Sequence, residues 1–506
     1  MLQSARPSVP FAILVVLVLI LHVSVFASTS SSQEPAASGS DKKSTSQTTS
    51  PSKKRKKKKS TTAVLPLVVF NPAPQTSTTA PIAPVTVESV QVLPSAPTRG
   101  VVSASKTSGV HVSPSIVPTP LVASAGQLVI SEFRVRGANG LNDEFIEIAN
   151  VSGADHTVSA LSGTGYGIAA SDGVTRCSIP NGTVIPNKGH YLCVNNNASN
   201  QYSLGSYPAG NGTTATGDAT YTTDIPDNAG IALFNNNSGG GAYILANRLD
   251  AVGSTSEANT LYKEGTGYPA LVPFSIDYSF YRDNCGKGGS ITQFNPPCTT
   301  GGLLKDTNNN AADFIFVDTN GTSAGAGQRL GAPGPENLSS PIERNASFAV
   351  NLLDTCVAAQ SPPNRVRDFT SDPPNNSTFG TLDVRRTVVN NTGGNVTRLR
   401  FRVVDITTFP APSGIADLRP RTSTAVVVTV DRPPCGSGTS NVTVQGTTLE
   451  QPPSQPNGGG FNSSMSAGTV TLATPIANGA SVDVRFLLGI QQTGSFKFFI
   501  NVEALP

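Results

Sequence analysis

The sequence predicts an all-β, exported protein built from two β-sandwiches, and three observations lead there. Short runs of alternating apolar and polar residues recur from Leu128 to the C-terminus, separated by clusters of Gly, Asn, Asp and Pro. Only 13% of the 506 residues are charged, Trp is absent, and Gly numbers 48 and Pro 39, the balance of a turn-rich extracellular chain. Six cysteines follow an apolar leader, and an even count behind an export signal favours disulfides.

Residues 1–27 read as a signal peptide or membrane anchor. The apolar run Val9 to Ala27 follows Arg6, and VFA before Ser28 offers a small-residue cleavage site. The run is also close to the length that spans a bilayer, so an uncleaved anchor is the rival reading. Residues 28–125 read as a disordered Ser/Thr/Pro-rich linker, with Phe70 its lone aromatic and too little apolar surface to offset the entropy of ordering. Its prolines, such as Pro72, Pro74, Pro81 and Pro84, favour an extended, semi-rigid spacer.

Within that spacer lies a basic run: Lys53, Lys54, Arg55, Lys56, Lys57, Lys58 and Lys59. A nuclear address conflicts with the export signal. A patch that holds an anionic membrane or wall polymer is physically sensible, at about 1 kcal/mol per basic residue. A solvated charge block is the third reading. The formal charge of +3 includes seven from this run, leaving −4 elsewhere, so the folded part has no basic excess to suggest a nucleic-acid face.

The first sandwich, residues 126–335, opens with LVISEFRVRGANGLNDEFIEIAN. Alternation places Val129, Phe133 and Val135 on one face of a strand and Glu132, Arg134 and Arg136 on the other. Ile146 and Ile148 share a face with Glu147 between them, and Asn139, Gly140, Asn142 and Asp143 supply turn chemistry. The acids Asp143 and Glu144 read as solvated turn residues. After a linker at 336–346, the second sandwich occupies residues 347–506. There Leu399, Phe401 and Val403 oppose Arg400 and Arg402, Val482, Val484 and Phe486 oppose Asp483 and Arg485, and Phe496, Phe498 and Ile500 oppose Lys497 and Asn501.

An ordered series of segments resembles the lamin-tail domain of bacterial type. LVISE (Leu128–Glu132) and EFIEIAN (Glu144–Asn150) come first, followed by IPNKGHYLCV (Ile185–Val194) and IPDNAGIALFN (Ile225–Asn235). RLDAVG (Arg248–Gly253), SFYRD (Ser279–Asp283) and DTNNNAADF (Asp306–Phe314) complete it. The order is the signal, because no single motif is specific. The resemblance covers roughly Gly126 to Pro335 and implies an immunoglobulin-like sandwich, but no activity, since such folds host many roles. The second sandwich resembles bacterial surface immunoglobulin-like modules only loosely, through a VxNNTGG turn.

Of the fifteen pairings six cysteines allow, the expected one is Cys177 with Cys193, Cys285 with Cys298 and Cys356 with Cys435. The first two pairs flank short loops, and the last two cysteines alone lie in the second sandwich. Zinc is the weaker alternative, because no CxxC or paired His spacing exists. No GxSxG elbow places a base beside a nucleophile, and of the four histidines only His156 and His190 fall in the sandwiches. The expectation is therefore no catalytic residues and no cofactor, except for a candidate calcium set. Asp306, Asn308, Asn310 and Asp313 repeat the alternate oxygen spacing that begins calcium loops, without the Gly and bidentate Glu of an EF-hand. Asn-x-Ser/Thr triplets, as at Asn181 and Asn211, matter only in a glycosylating host.

These observations converge on a secreted or cell-surface, non-enzymatic binding or adhesion protein whose partner is a protein or glycan at the cell envelope. The alternatives are a structural envelope or extracellular-matrix component and an accessory module of an extracellular hydrolase system.

Overall fold

The computed structural model describes residues 123–270, 276–283, 304–320, 329–409, 413–450, 459–470 and 474–506. They belong to one compact unit and are all-β, with one four-residue helix, Asn310–Asp313, and a few 3-10 turns. Among them no helix is long and apolar enough to cross a membrane. The leader, most of the spacer and the basic run Lys53–Lys59 lie outside these residues.

The first half has twelve strands: β1 (Leu128–Arg134), β2 (Phe145–Asn150), β3 (His156–Thr157), β4 (Gly165–Ala170), β5 (Thr175–Pro180), β6 (Val184–Ile185), β7 (His190–Asn195), β8 (Ala219–Tyr221), β9 (Ile231–Phe234), β10 (Arg248–Val252), β11 (Tyr278–Arg282) and β12 (Phe314–Asp318). A six-stranded sheet, in the order β12-β11-β1-β2-β7-β8, faces a four-stranded sheet, β10-β9-β4-β5, while β3 and β6 form a small ribbon. The core between them draws Ile130, Phe133, Ile146 and Ile148 from the larger sheet and Tyr166, Ile168, Ile179 and Leu233 from the smaller. Phe133 stacks on Phe280 with ring centroids 5.2 Å apart.

The alternation predicted for β2 is observed, but that for β1 is not. Its pairing with β2 shifts register between Ile130 and Glu132, so Ser131 is an extra residue. A bulge reverses the side-chain alternation beyond it. Leu128 and Ile130 therefore join Phe133 and Val135 in the core between the two sheets, while Val129, though fully buried, is not part of that cluster.

The second half has eleven strands: β13 (Ile342–Glu343), β14 (Phe348–Leu352), β15 (Arg365–Asp368), β16 (Thr381–Asn390), β17 (Arg398–Ile406), β18 (Asp417–Arg421), β19 (Val426–Asp431), β20 (Thr439–Glu450), β21 (Ser464–Ala467), β22 (Ser481–Gln492) and β23 (Phe498–Leu505). They form one folded sheet along the path β13-β23-β17-β21-β20-β22-β16-β14, with β15, β18 and β19 attached to β16, β22 and β20. The long β20 makes the fold possible: it pairs with β21 through Thr447–Glu450 and, in parallel, with β22 through Gln445 and Gly446. Leu399 and Phe401 of β17 meet Val484 and Phe486 of β22 in the resulting core.

A further apolar cluster is shared by both halves, with Tyr281, Ile315 and Val317 from the first and Val403, Ile406, Phe461 and Leu488 from the second. The segment that reads as a linker is correspondingly buried at its start, with Glu336 only 2% exposed.

Candidate functional site

Two of the expected disulfides are formed. Cys177–Cys193, with Cα atoms 6.3 Å apart, ties β5 of the smaller sheet to β7 of the larger through the first core. Cys356–Cys435, at 5.6 Å, closes loops of the second half. Cys285 and Cys298 lie outside the described residues.

The calcium string does not form a four-ligand loop. Asn310 is fully buried, its Oδ1 accepting the N–H groups of Gly253 and Glu264 while its Nδ2 donates to the Ala251 carbonyl. Asp313 accepts from the backbone N–H groups of Thr307 and Asn309 and from the Thr307 hydroxyl, which fixes the turn. Between Asp306 and Asp313 sits a protein cation, Arg282, whose Nη1 is 3.4 Å from one and 3.9 Å from the other. Asp306, Asn310 and Asp313 thus serve three different structural tasks.

The opening acids are not solvated either. Asp143 and Glu144 are 0% exposed: Asp143 pairs with Arg134, and Glu144 accepts from Asn195 Nδ2 at 2.7 Å and from the Ile225 N–H at 2.7 Å. Burial pushes the Glu144 carboxyl up to about 8. His156 contacts the Tyr166 hydroxyl at 3.1 Å, and burial lowers its pKa.

The largest concentration of ionisable groups lies where the outer face of the six-stranded sheet meets β17 and β23. Glu336 is its centre. One carboxylate oxygen meets Arg400 Nη1 at 2.8 Å and Arg402 Nη2 at 2.9 Å, and the other lies 3.3 Å from His190 Nδ1. The backbone N–H of Glu336 donates to Glu147 at 2.6 Å, and that of Gly334 donates to Glu132 at 3.0 Å. Glu503 and Glu450 complete the set against Arg402 Nε at 3.0 Å and Arg400 Nε at 2.8 Å.

Five carboxyls therefore surround two guanidiniums, and their protonation divides accordingly. Burial alone would raise Glu336, but Arg402, His190 and Arg400 hold it below its ordinary value. Burial pushes Glu132 up to about 7 and Glu503 up to about 8, and it raises Glu147 well above the carboxylate range. The adjoining cavity, bordered by His190, Tyr281, Glu336 and Arg402, has a volume of about 50 Å³. That is room for about three waters, at about 10 to 15 Å³ each. The two His190 nitrogens face different carboxylates, Nε2 lying 3.8 Å from Glu147 and Nδ1 beside Glu336, so the ring bridges two acids. This arrangement joins two sheets around that small cavity.

A different kind of site opens on the second half, where β15, β16, β18 and β22 converge. A groove of about 300 Å³ has Leu382, Leu418, Ile490 and Phe496 along its apolar part and Arg365 and Arg367 at its polar part. That size is at the lower end for small-ligand pockets, which combine apolar walls with a few placed polar groups. Arg367 lies over the Phe369 ring, 4.3 Å from its centroid, and its guanidinium also meets the Thr381 carbonyl at 3.1 Å. Phe369 is 78% exposed and Phe379 48%. Neither Arg365 nor Arg367 is within ion-pair distance of a carboxylate among the described residues. Exposed aromatic rings beside arginines that form no ion pair are a common composition for a binding surface.

Sequence reasoning missed both places. The groove has a trace in the sequence, RVRDF (Arg365–Phe369), an aromatic next to alternating basic residues, but nothing in that string says what lies beneath it. Glu336, in an otherwise uncharged proline-rich stretch, was the available sign of the junction. The chain matches no protein-family profile, no curated protein and no solved structure.

Proposed function

We propose that the protein is a secreted or cell-surface binding and adhesion protein without catalytic activity, and that the groove at Arg365, Arg367, Leu382, Leu418, Ile490 and Phe496 is its binding surface. The observation on which this rests is the pairing of an apolar floor with two arginines that have no carboxylate partner. Such a surface favours a partner that presents an anionic group next to an apolar one, because the guanidinium offers directed donors and the floor offers area to desolvate. The absence of catalysis is supported by the ionisable groups: the strongly shifted acids at the junction are buried among the sheets, away from the groove.

The first half is a lamin-tail-like, immunoglobulin-like domain in this reading. Support comes from the way the ordered segments fall on the strands: LVISE in β1, FIEIAN as β2, HYLCV in β7, IALF as β9, RLDAV as β10 and SFYR in β11, all within one two-sheet body. The apolar leader and the spacer would place this body outside the cell, or hold it at the surface if the leader is retained. The basic run would add attachment to an anionic membrane or wall polymer.

The test is an array of glycans and cell-surface proteins probed with the full chain. The expected result is saturable binding to acidic members that weakens with salt and is lost in Arg365→Ala. No saturable binding, or binding that Arg365→Ala leaves unchanged, would remove the groove as the functional surface.

A further inference from the structure

We infer that Asp250, Glu264 and Asp306 form a calcium-binding site at the edge of the first half, where β10 meets the loop that precedes β12. One carboxylate oxygen from each residue lies within 4.8 Å of one from each of the others. Calcium takes oxygen ligands at about 2.3 to 2.6 Å, so two oxygens on opposite sides of one ion are separated by about 4.6 to 5.2 Å. Three oxygens no farther apart than 4.8 Å can therefore reach one ion together.

The oxygens are also disposed for it. Asp250 and Glu264 are 1% and 6% exposed, and each uses only one oxygen in the protein. Asp250 Oδ2 accepts from the Ile130 N–H at 2.6 Å and from Arg282 Nη2 at 2.6 Å, and Glu264 Oε1 accepts from Arg248 Nη2 at 3.1 Å. The second oxygens, Asp250 Oδ1 and Glu264 Oε2, are buried with no hydrogen-bond partner. A buried carboxylate oxygen left unpaired is costly unless something coordinates it. Asp306 repeats the pattern, with Oδ1 taken by Arg282 and by the Asn308 N–H while Oδ2 makes no protein hydrogen bond. Because Asp306 is exposed, it gives the ion a route in from solvent.

Charge agrees with a divalent ion. Asp250, Glu264, Asp306 and Asp313 outnumber Arg248 and Arg282, the two cations that face them. All-oxygen, all-carboxylate donors select calcium or magnesium over zinc or copper. The site takes Asp306 from the string first suggested by sequence spacing, but its other two ligands come from β10 and from the turn after Thr260–Tyr262, far away in the chain.

Calorimetric titration of the chelator-stripped full chain with calcium chloride tests the inference, with Asp306→Asn and Glu264→Gln as variants. The expected result is one saturable site, weakened about tenfold or more by Asp306→Asn and abolished by Glu264→Gln. Asp306 is exposed, so its variant decides the matter even if Glu264→Gln does not fold. No saturable heat up to about 10 mM calcium, above the range of extracellular sites, would overturn the site. So would an affinity that Asp306→Asn leaves unchanged.

Discussion

Arg400 and Arg402 on β17 and Arg365 and Arg367 on β15 look the same in the sequence: two arginines on alternate positions of a strand with an apolar residue between them. In the folded chain they do opposite things. The β17 pair is 2% exposed and closed in by Glu336, Glu450 and Glu503. The β15 pair borders an open groove and forms no ion pair with a carboxylate among the described residues. What separates them is cover: the segment around Glu336 and the outer face of the six-stranded sheet lie over β17, whereas β15, which pairs with β16 among the described strands, is only half-buried. The polar face of a strand is thus a structural device in one place and a free recognition surface in the other.

The sharpest way to break this comparison is to remove Glu336. Deleting one partner of a buried ion network leaves the rest uncompensated and costs about 3 to 5 kcal/mol. Glu336→Ala should therefore lower the unfolding free energy of the full chain, read from a urea titration, by that amount, while Arg365→Ala, at a half-buried position, should cost about 1 kcal/mol or less. An unchanged midpoint in Glu336→Ala would mean that the junction does not hold the halves together.

Next in size is the disulfide beneath the same sheet. Cys177 and Cys193 are separated by 16 residues, and closing such a loop stabilises by about 3 kcal/mol in the chain-entropy account. Replacing both with Ser should cost about that much in an unfolding titration, and a loss of under about 1 kcal/mol would contradict a stabilising tie between the two sheets of the first half.

A separate and more diagnostic effect, defined by its sign, is expected from pH. Glu132 and Glu503 have folded values near 7 and 8, above the ordinary 4.5, as does Glu144 near 8. The folded state then binds more protons than the unfolded one between about 4.5 and 8, so this contribution is full at low pH and is lost as pH rises through 7 and 8. Glu336, held below its ordinary value, runs the other way, and its contribution is lost only as pH falls through that lower value. The urea midpoint should be higher at about pH 5 than at about pH 8.5. A midpoint that climbs over this interval would mean that the junction acids are all ionised.

Much of this fold was legible in the sequence, and the reason is local. Ile146 and Ile148, or Val484 and Phe486, announce a buried strand face by alternation alone, and Cys177 and Cys193 announce their pairing by proximity. Two features were not. The bulge at Ser131 puts Ile130, not Val129, in the inter-sheet cluster with Phe133, without any Gly or Pro to mark it. The burial of Glu132, Glu147, Arg400 and Arg402 depends on which sheet lands on which, a tertiary fact that the polar side of a strand does not encode. The calcium-class site was half legible: Asp306 stands in a suggestive string, but Asp250 and Glu264 join it only through the turn that returns to β10.

The claim that uncovered arginines on β15 are the working surface is tested most directly by a binding isotherm. An acidic ligand identified on the array would be titrated into the wild-type chain and into Arg365→Glu, with melting curves recorded for both. Saturable binding lost on charge reversal, with matching melting curves, is the predicted result. Equal affinity in the two proteins would contradict it.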